Sequence, residues 1–600
     1  MPQGLLQQGK LHVKNVMDHT PKNNVKLASK LQLPPKLIRL PKMPTSDSPL
    51  QQKHPPPQNN QITNNKFQLV KPVKRDKLDY WLHGYDFQKR AYFVSGFTDG
   101  FKMPFRGVRY FRHNDNLKSA KDDMNTLKEK IQKELDANRA ECPFKEKPFP
   151  NIQISPLGLV PKKSNNNVIP DARVIHHLSF PEGQSINDGI PDNFCRVQYQ
   201  NINDAVELMQ TFGPNCLIFK LDILNAYQIV PVHTSDWELL GFSIDGMFYF
   251  DKTLPMGLSY SCQLFEEITT ALHWIGENKL GLSSKIVHLL DDFLIVGPPD
   301  YDTRKKDLEK IMVLFKDIDI PIKEAKTVLP CTLLTFLGIE LDSVLMEKRF
   351  PKEKLEKIRA LLSTYKNKSI TLRELQSIVG LLSFACSVAT PGRPVLRSLI
   401  DLSTGLTKPH HHRKLNEEAR ADLNAWSIFI DHFNEKSFFL SEHWENSVTL
   451  NLFTDASNTR FGGYLGNHYF HGTWPKHWGK YYITVKELFP IVLSLELWSL
   501  QLQNKCIAFH TDNEAVMHVI NKQTSKDKSL MSLVRRLVTQ CLHFNILFQA
   551  QHIQGLNNDL ADHLSRQQIS QFLQKCPHRN PIFYPTNEAS LTISEALRLI

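Results

Sequence analysis

Six hundred residues are too many for one ordinary domain, and a hydrophobic content of 41% is enough for well-buried cores. Nine cysteines, scattered singly with no Cys-x-x-Cys pair, exclude a disulfide framework and a cysteine zinc site and fit a reducing compartment. No apolar run approaches a membrane span and the N-terminus lacks a signal-peptide core, so an intracellular protein of cytoplasm or nucleus is expected, with no membrane partner and no secretion.

The net charge of +12 is placed unevenly. The first 75 residues carry 13 Lys/Arg, 2 Asp/Glu and 11 prolines, which leaves only +1 for the remainder. Residues 1–78 therefore read as a disordered basic arm, too polar to fold alone. Such an arm serves either as a polycation for nucleic acid or as a solubilising tail. Residues 79–150 form an aromatic-rich, helical extension, in which Leu117, Met124, Leu127 and Ile131 fall near one helix face. "ISPLGLVPKK" (154–163) reads as a strand ending in a basic turn, and 151–345 alternates short β-type and helical runs, an α+β body. Residues 346–440 change to helices: Thr371 and Glu374 make a capping box, with Leu375, Ile378, Val379 and Leu382 as an apolar stripe. "TGLTKPHHHRKLNEE" reads as a polar connector whose three histidines form an exposed loop rather than a metal site. Strands return in 446–570, and 571–600 reads as a C-terminal linker.

Two acidic constellations carry the chemistry. In "KIVHLLDDFLIVG" (285–297), Asp291 and Asp292 sit between two apolar runs. Neighbouring strand residues point to opposite faces, so this pattern predicts a tight hairpin with the acids at its tip. "CLIFKLDILNAYQIVPV" (216–232) places Asp222 at the end of another apolar strand. Three carboxylates at one sheet edge make a site for two divalent cations; hard Mg²⁺ is the natural choice, with Mn²⁺ as a substitute.

"DILNAYQI", "LPMGLSYSCQLFEE", "LDDFLIVG" and "FLGIELD" occur in the order and spacing of the palm motifs of reverse transcriptases. The run from about 80 to 570 resembles the polymerase of DIRS-type retrotransposons, to whose wording "RVIHHLSFPEGQSINDGI" and "TLRELQSIVGLLSFACSVATPGR" are very close. The resemblance implies a right-hand polymerase of fingers, palm and thumb. It implies that Asp222, Asp291 and Asp292 hold two Mg²⁺ for attack of a DNA primer 3′-OH on a deoxynucleoside triphosphate, over an RNA template. It also makes Tyr227 the residue that abuts the sugar 2′ position, and gives Arg173, with Lys162 or Lys163, the triphosphate. Gly257 takes the position where backbone passes close to nucleotide and template. Two places depart from the family pattern: Leu289 stands where Tyr-x-Asp-Asp has its tyrosine, and Ser261-Cys262 stands where Ala-Pro is common.

The second constellation spreads over strand, helix, strand and helix: Asp455, Glu487, Asp512 and Asp562, with His552 ten residues before the last. This resembles the D-E-D-D pattern of RNase H domains, and the resemblance implies a mixed-sheet fold that holds two Mg²⁺ against an RNA phosphate. Asp559 is the alternative to Asp562, which the "N-x-x-x-D-x-L" phasing favours. The resulting expectation is one multidomain α+β and α/β enzyme that copies RNA into DNA and cuts RNA in the RNA–DNA hybrid. Its rivals are a catalytically inactive, retrotransposon-derived nucleic-acid-binding protein and a nuclease on a non-catalytic polymerase scaffold.

Overall fold

The hairpin that carries Asp291 and Asp292 lies in a four-stranded antiparallel sheet, and the rest of the central region is arranged around it. The computed structural model describes residues 67–161, 172–365, 369–388, 392, 395–432, 436–438, 445–446, 452–578, 580–586 and 591. The chain divides into residues 1–69, described only for the last three, and residues 70–600. The basic arm thus falls outside the described residues save for its end, where Arg75–Trp81 is already helical and crosses the expected boundary at 78. In the extension, α1 (Phe87–Asp99) and α2 (Met124–Asp136) follow; Leu127 and Ile131 of α2 are buried, as the spacing predicts.

The hairpin β1 (Leu157–Pro161) and β2 (Ala172–His176) comes next, then α3 (Ile202–Phe212) and β3 (Leu217–Asp222). An Asn201/Asp204 capping box starts α3, whose Ile202, Ala205, Val206 and Met209 are buried at i, i+3, i+4 and i+7. A hairpin of β4 (Gly241–Ile244) and β5 (Met247–Asp251) leads to α4 (Ser261–Lys279). The predicted hairpin follows as β6 (Lys285–Leu289) and β7 (Asp292–Gly297), then α5 (Tyr301–Asp317) and β8 (Val328–Cys331). The sheet order is β8-β3-β7-β6, so β3 and β7 are its two central strands. That explains their unbroken apolar runs: Ile218, Phe219 and Leu221 of β3, and Phe293 to Val296 of β7, are covered on both faces. α3 covers one part, and Phe315 of α5 meets Phe293 edge-on at 5.7 Å.

"FLGIELD" folds as β9 (Leu333–Phe336) and β10 (Ile339–Asp342), turning through Leu337 and Gly338 at φ 47° and 78°, followed by β11 (Glu347–Arg349). Helices α6 (Lys352–Thr364) and α7 (Leu372–Ala385) come next; both halves of the Thr371/Glu374 capping box are present, and Leu375, Ile378 and Leu382 are buried. In the histidine stretch His410 and His411 lie in a loop as expected, and only His412 differs. His412–Lys414 pairs antiparallel with Ser369–Thr371, because a short edge strand there satisfies backbone that α7 leaves open at its start. α8 (Glu417–His432) ends this region.

The last region is a mixed sheet. β12 (Phe453–Ala456), β13 (Arg460–Leu465) and β14 (His468–Thr473) form an antiparallel meander. Then come α9 (Ile483–Leu502), β15 (Cys506–Thr511), α10 (Glu514–Lys522), α11 (Lys528–His543), β16 (Leu547–His552) and α12 (Asp559–Ser565). β15 runs parallel to both β12 and β16. The expected linker after 570 is partly folded onto this sheet. Ile582–Phe583 pairs with β14, Phe572 is buried, and the buried Trp478 indole donates to the Leu591 carbonyl at 2.8 Å. Ile582–Phe583 thereby pairs the β14 edge, while Phe572 packs against Tyr464 and Tyr469.

Candidate active sites

In the first site, Asp292 opens β7 directly opposite Asp222 at the end of β3. Opposed residues of an antiparallel pair share a face with Cβ atoms about 5 Å apart, so these carboxylates are neighbours by register alone. Leu289 and Asp292 also pair across β6 and β7, which leaves Leu290 and Asp291 as the two-residue turn. The Asp291 carbonyl accepts from the Ile223 amide at 3.0 Å and fixes the turn beside β3. Leu290 is buried and adopts φ 53°, a region that costs a non-glycine residue about 1–2 kcal/mol. A buried carboxylate on α4 offsets that cost: Glu266 Oε2 accepts from the Leu290 amide at 2.8 Å. Burial pushes Glu266 up to about 7, with the Leu290 amide pulling the other way. His288, on β6 of the hairpin, is driven down to about 3 by burial and by the charge of His273, so it is neutral at physiological pH.

The three acids repel one another. Asp292 is pushed up to about 7 by burial, then by Asp291 and Asp222; Asp291 is raised by burial and by Asp222. Among the described residues Lys326 answers them, with its Nζ 2.5 Å from Asp222 Oδ2. Burial is the largest influence and works against the Lys326 charge, but the bond to Asp222 and the charges of Asp222, Asp292 and Asp291 together outweigh it and hold the ammonium above its ordinary value. Three oxygen-donor acids with one lysine between them retain excess negative charge, a donor set that fits a hard divalent cation.

Around this centre the predicted residues are dispersed. Tyr227 lies on the short turn Ala226–Ile229 after β3, and Asp291 is among the charges that raise its hydroxyl above the ordinary value, after burial and the Cys262 thiol. Gly257 has φ 130°, and a Cβ there would come within 1.9 Å of the His176 carbonyl oxygen, so no side chain fits. Its own carbonyl accepts from Asn187 Nδ2 at 2.8 Å. Arg173 is exposed on β2, opposite Val160. Lys162 and Lys163 lie outside the described residues.

The second site gathers Asp455 at the centre of the sheet, Glu487 from the first turns of α9 and Asp512 just beyond β15. One oxygen from each lies within 4.8 Å of the others. Burial, then Asp455 and Asp512, push Glu487 up to about 9. Asp455 rises to about 6, mainly through burial, although it accepts a hydrogen bond from Ser565. Asp562, in α12, stands apart from this close group: Arg566 Nε donates to it at 2.7 Å, while its charge still raises Asp455. The alternative, Asp559, is bound to Lys575 at 3.1 Å. His552 is exposed, its Nε2 3.2 Å from the Asp512 carbonyl oxygen. Close approach of three acids with the strongest upward shift at Glu487 again fits a divalent cation.

Lys326, Glu266, Ser565 and Arg566 were missed by the reading from sequence. Lys326 had a faint signal, a basic turn ("IKEAK") feeding the strand beside β3. Glu266 and Ser565 are ordinary helix residues whose partners lie far off in the chain, and Arg566, four residues after Asp562, carries no signal beyond a common surface ion pair.

Residues 166–341 match the family model described as reverse transcriptase (RNA-dependent DNA polymerase). The chain is 24% identical over 378 residues to the putative enzymatic polyprotein of Cassava vein mosaic virus, covering 58% of this chain and 52% of that protein. It is 23% identical over 430 residues to the retrovirus-related Pol polyprotein from transposon opus of Drosophila melanogaster, covering 69% of this chain and 39% of that protein. The chain thus spans about half, or less, of these curated relatives. Among solved structures, the foamy viral protease-reverse transcriptase in complex with an RNA/DNA hybrid aligns over 81% of this chain and 63% of its own, with TM-score 0.44 and 16% identity.

Proposed function

We propose that this chain, which carries a reverse transcriptase domain similar to those of retroelement polyproteins, is an RNA-directed DNA polymerase coupled to a ribonuclease that cuts the RNA of RNA–DNA hybrids. One observation carries the polymerase reading: Asp222 and Asp292 in register with Asp291 in the adjoining turn, three carboxylates at one sheet end. Asp222, Asp291 and Asp292 would hold Mg²⁺ at the first centre, and Asp455, Glu487, Asp512 and Asp562 at the second. When bound, the ions stabilise the charge that develops as an oxygen attacks phosphorus. The chain does the rest. β3 and β7 fix the carboxylates, and Lys326 balances charge on the Asp222 side. Tyr227 borders the nucleotide sugar, and Gly257 lets the backbone approach. The wording of 173–190 and 371–393 supports a DIRS-type origin. RNA template, DNA primer and deoxynucleoside triphosphates are the partners this reading assigns. Binding through phosphates would weaken steeply as salt rises.

Primer extension on an RNA template with Mg²⁺ tests the reading, beside cleavage of a labelled hybrid. Asp291→Asn is expected to lower extension by at least a hundredfold and leave cleavage intact; Asp512→Asn is expected to do the reverse. No extension by the wild type with intact cleavage would remove the polymerase. Loss of both would leave a nucleic-acid-binding protein.

A further inference from the structure

We propose that Cys262 sets the sugar specificity of the polymerase by anchoring the Tyr227 hydroxyl and so holding the ring in one orientation. The inference rests on the polymerase reading, and in particular on Tyr227 bordering the sugar. Tyr227 Oη lies 3.2 Å from Cys262 Sγ. The Tyr199 hydroxyl is bonded to the same thiol, so Cys262 ties two tyrosines together. Cys262 and Phe265 are three residues apart on α4 and therefore share a face. Phe265 is fully buried and meets the Tyr227 ring edge-on, with centroids 5.4 Å apart and planes at 85°.

The ring is thus gripped at two points, its edge by Phe265 and its hydroxyl by Cys262. Packing against Phe265 resists translation of the ring, but one aromatic contact leaves other staggered side-chain wells open. The hydroxyl bond closes them. Burial raises both tyrosine hydroxyls well above their ordinary values, so both stay protonated and able to donate at any physiological pH. A sulfur accepts such donors at longer range than oxygen does, which suits one thiol shared by two phenols. The sequence places this unit beside the acids: Tyr227 follows Asp222 by five residues, and the Asp291 charge reaches its hydroxyl.

A net hydrogen bond biases a two-state orientation by about three- to tenfold, and that is the change expected in discrimination. The readout is kcat/KM for a ribonucleotide over that for the matching deoxynucleotide in single-nucleotide extension. Both are measured on one preparation, so a partly folded sample alters both terms alike. Cys262→Ala and Tyr227→Phe should each raise the ratio about three- to tenfold, and the double variant no further than either single. Cys262→Ser should restore the wild-type ratio. If Tyr227→Ala raises the ratio and Cys262→Ala does not, the anchoring role is wrong and the gate stands. If Tyr227→Ala leaves it unchanged, the gate falls and the role of Cys262 with it. A wild type that extends no primer overturns the polymerase reading itself.

Discussion

Glu487 carries the strongest chemical tension of the residues that form the second acidic centre. Its carboxyl titrates near 9 because burial and two neighbouring carboxylates oppose ionisation. A carboxyl whose folded value lies above its unfolded one binds its proton more tightly when folded. Its stabilising contribution is complete below about pH 4.5 and is lost as pH rises through the folded value. Metal-free protein should therefore lose thermal stability between about pH 5 and 9, and Mg²⁺ should restore it. Glu487→Gln removes the charge and nearly keeps the shape. In EDTA at pH 8 its Tm should exceed that of the wild type by a few degrees, with a flatter dependence on pH, while hybrid cleavage is lost. A Tm below wild type in EDTA would mean that the carboxylate is not under strain. Leu289 shows the opposite kind of residue: half-buried and paired across the hairpin from Asp292, it keeps the backbone register without a phenol.

The β6–β7 hairpin shows what an element adds to its residues. Its acids are legible in the sequence, because two apolar runs around Asp-Asp leave a hairpin as the only economical path, and Asp222 ends a run of the same kind. The capping box at Thr371 and the α7 stripe were legible for the same reason: local spacing dictates them. The support of the hairpin was not. Glu266 is one more acid on an amphipathic helix until the fold brings it to the Leu290 amide, 24 residues on. Likewise Lys326 meets Asp222 across 104 residues, and the edge strand at 412–414 forms only because Ser369–Thr371 is there to pair. Glu266→Leu should release the turn and lower extension about tenfold or more, with a raised Mg²⁺ requirement. Glu266→Gln keeps an acceptor oxygen and should retain most activity. Equal losses in the two variants would assign Glu266 to charge rather than to the turn.

At the scale of the whole unit 70–600, one apolar core runs from β3, β6 and β7 through α6, α7 and α8 into the mixed sheet that carries the second centre. Where α8 meets α11, Arg535 Nε donates to Asp422 Oδ1 at 2.9 Å, with both side chains buried. Removing one partner leaves a buried charge unpaired and costs about 3–5 kcal/mol, whereas replacing both with apolar residues costs far less. Arg535→Met alone should thus lower the unfolding midpoint sharply, and Asp422→Leu with Arg535→Met should recover most of it. A single variant as stable as the double would show the pair to be solvated. The hydrophobic seam around this pair also joins the elements that carry the two acidic centres. If both centres work on one duplex, the stretch of RNA left between the growing end and the cut is measured by protein rather than by base sequence. The chain would act as its own ruler, returning RNA fragments of one narrow size from any template.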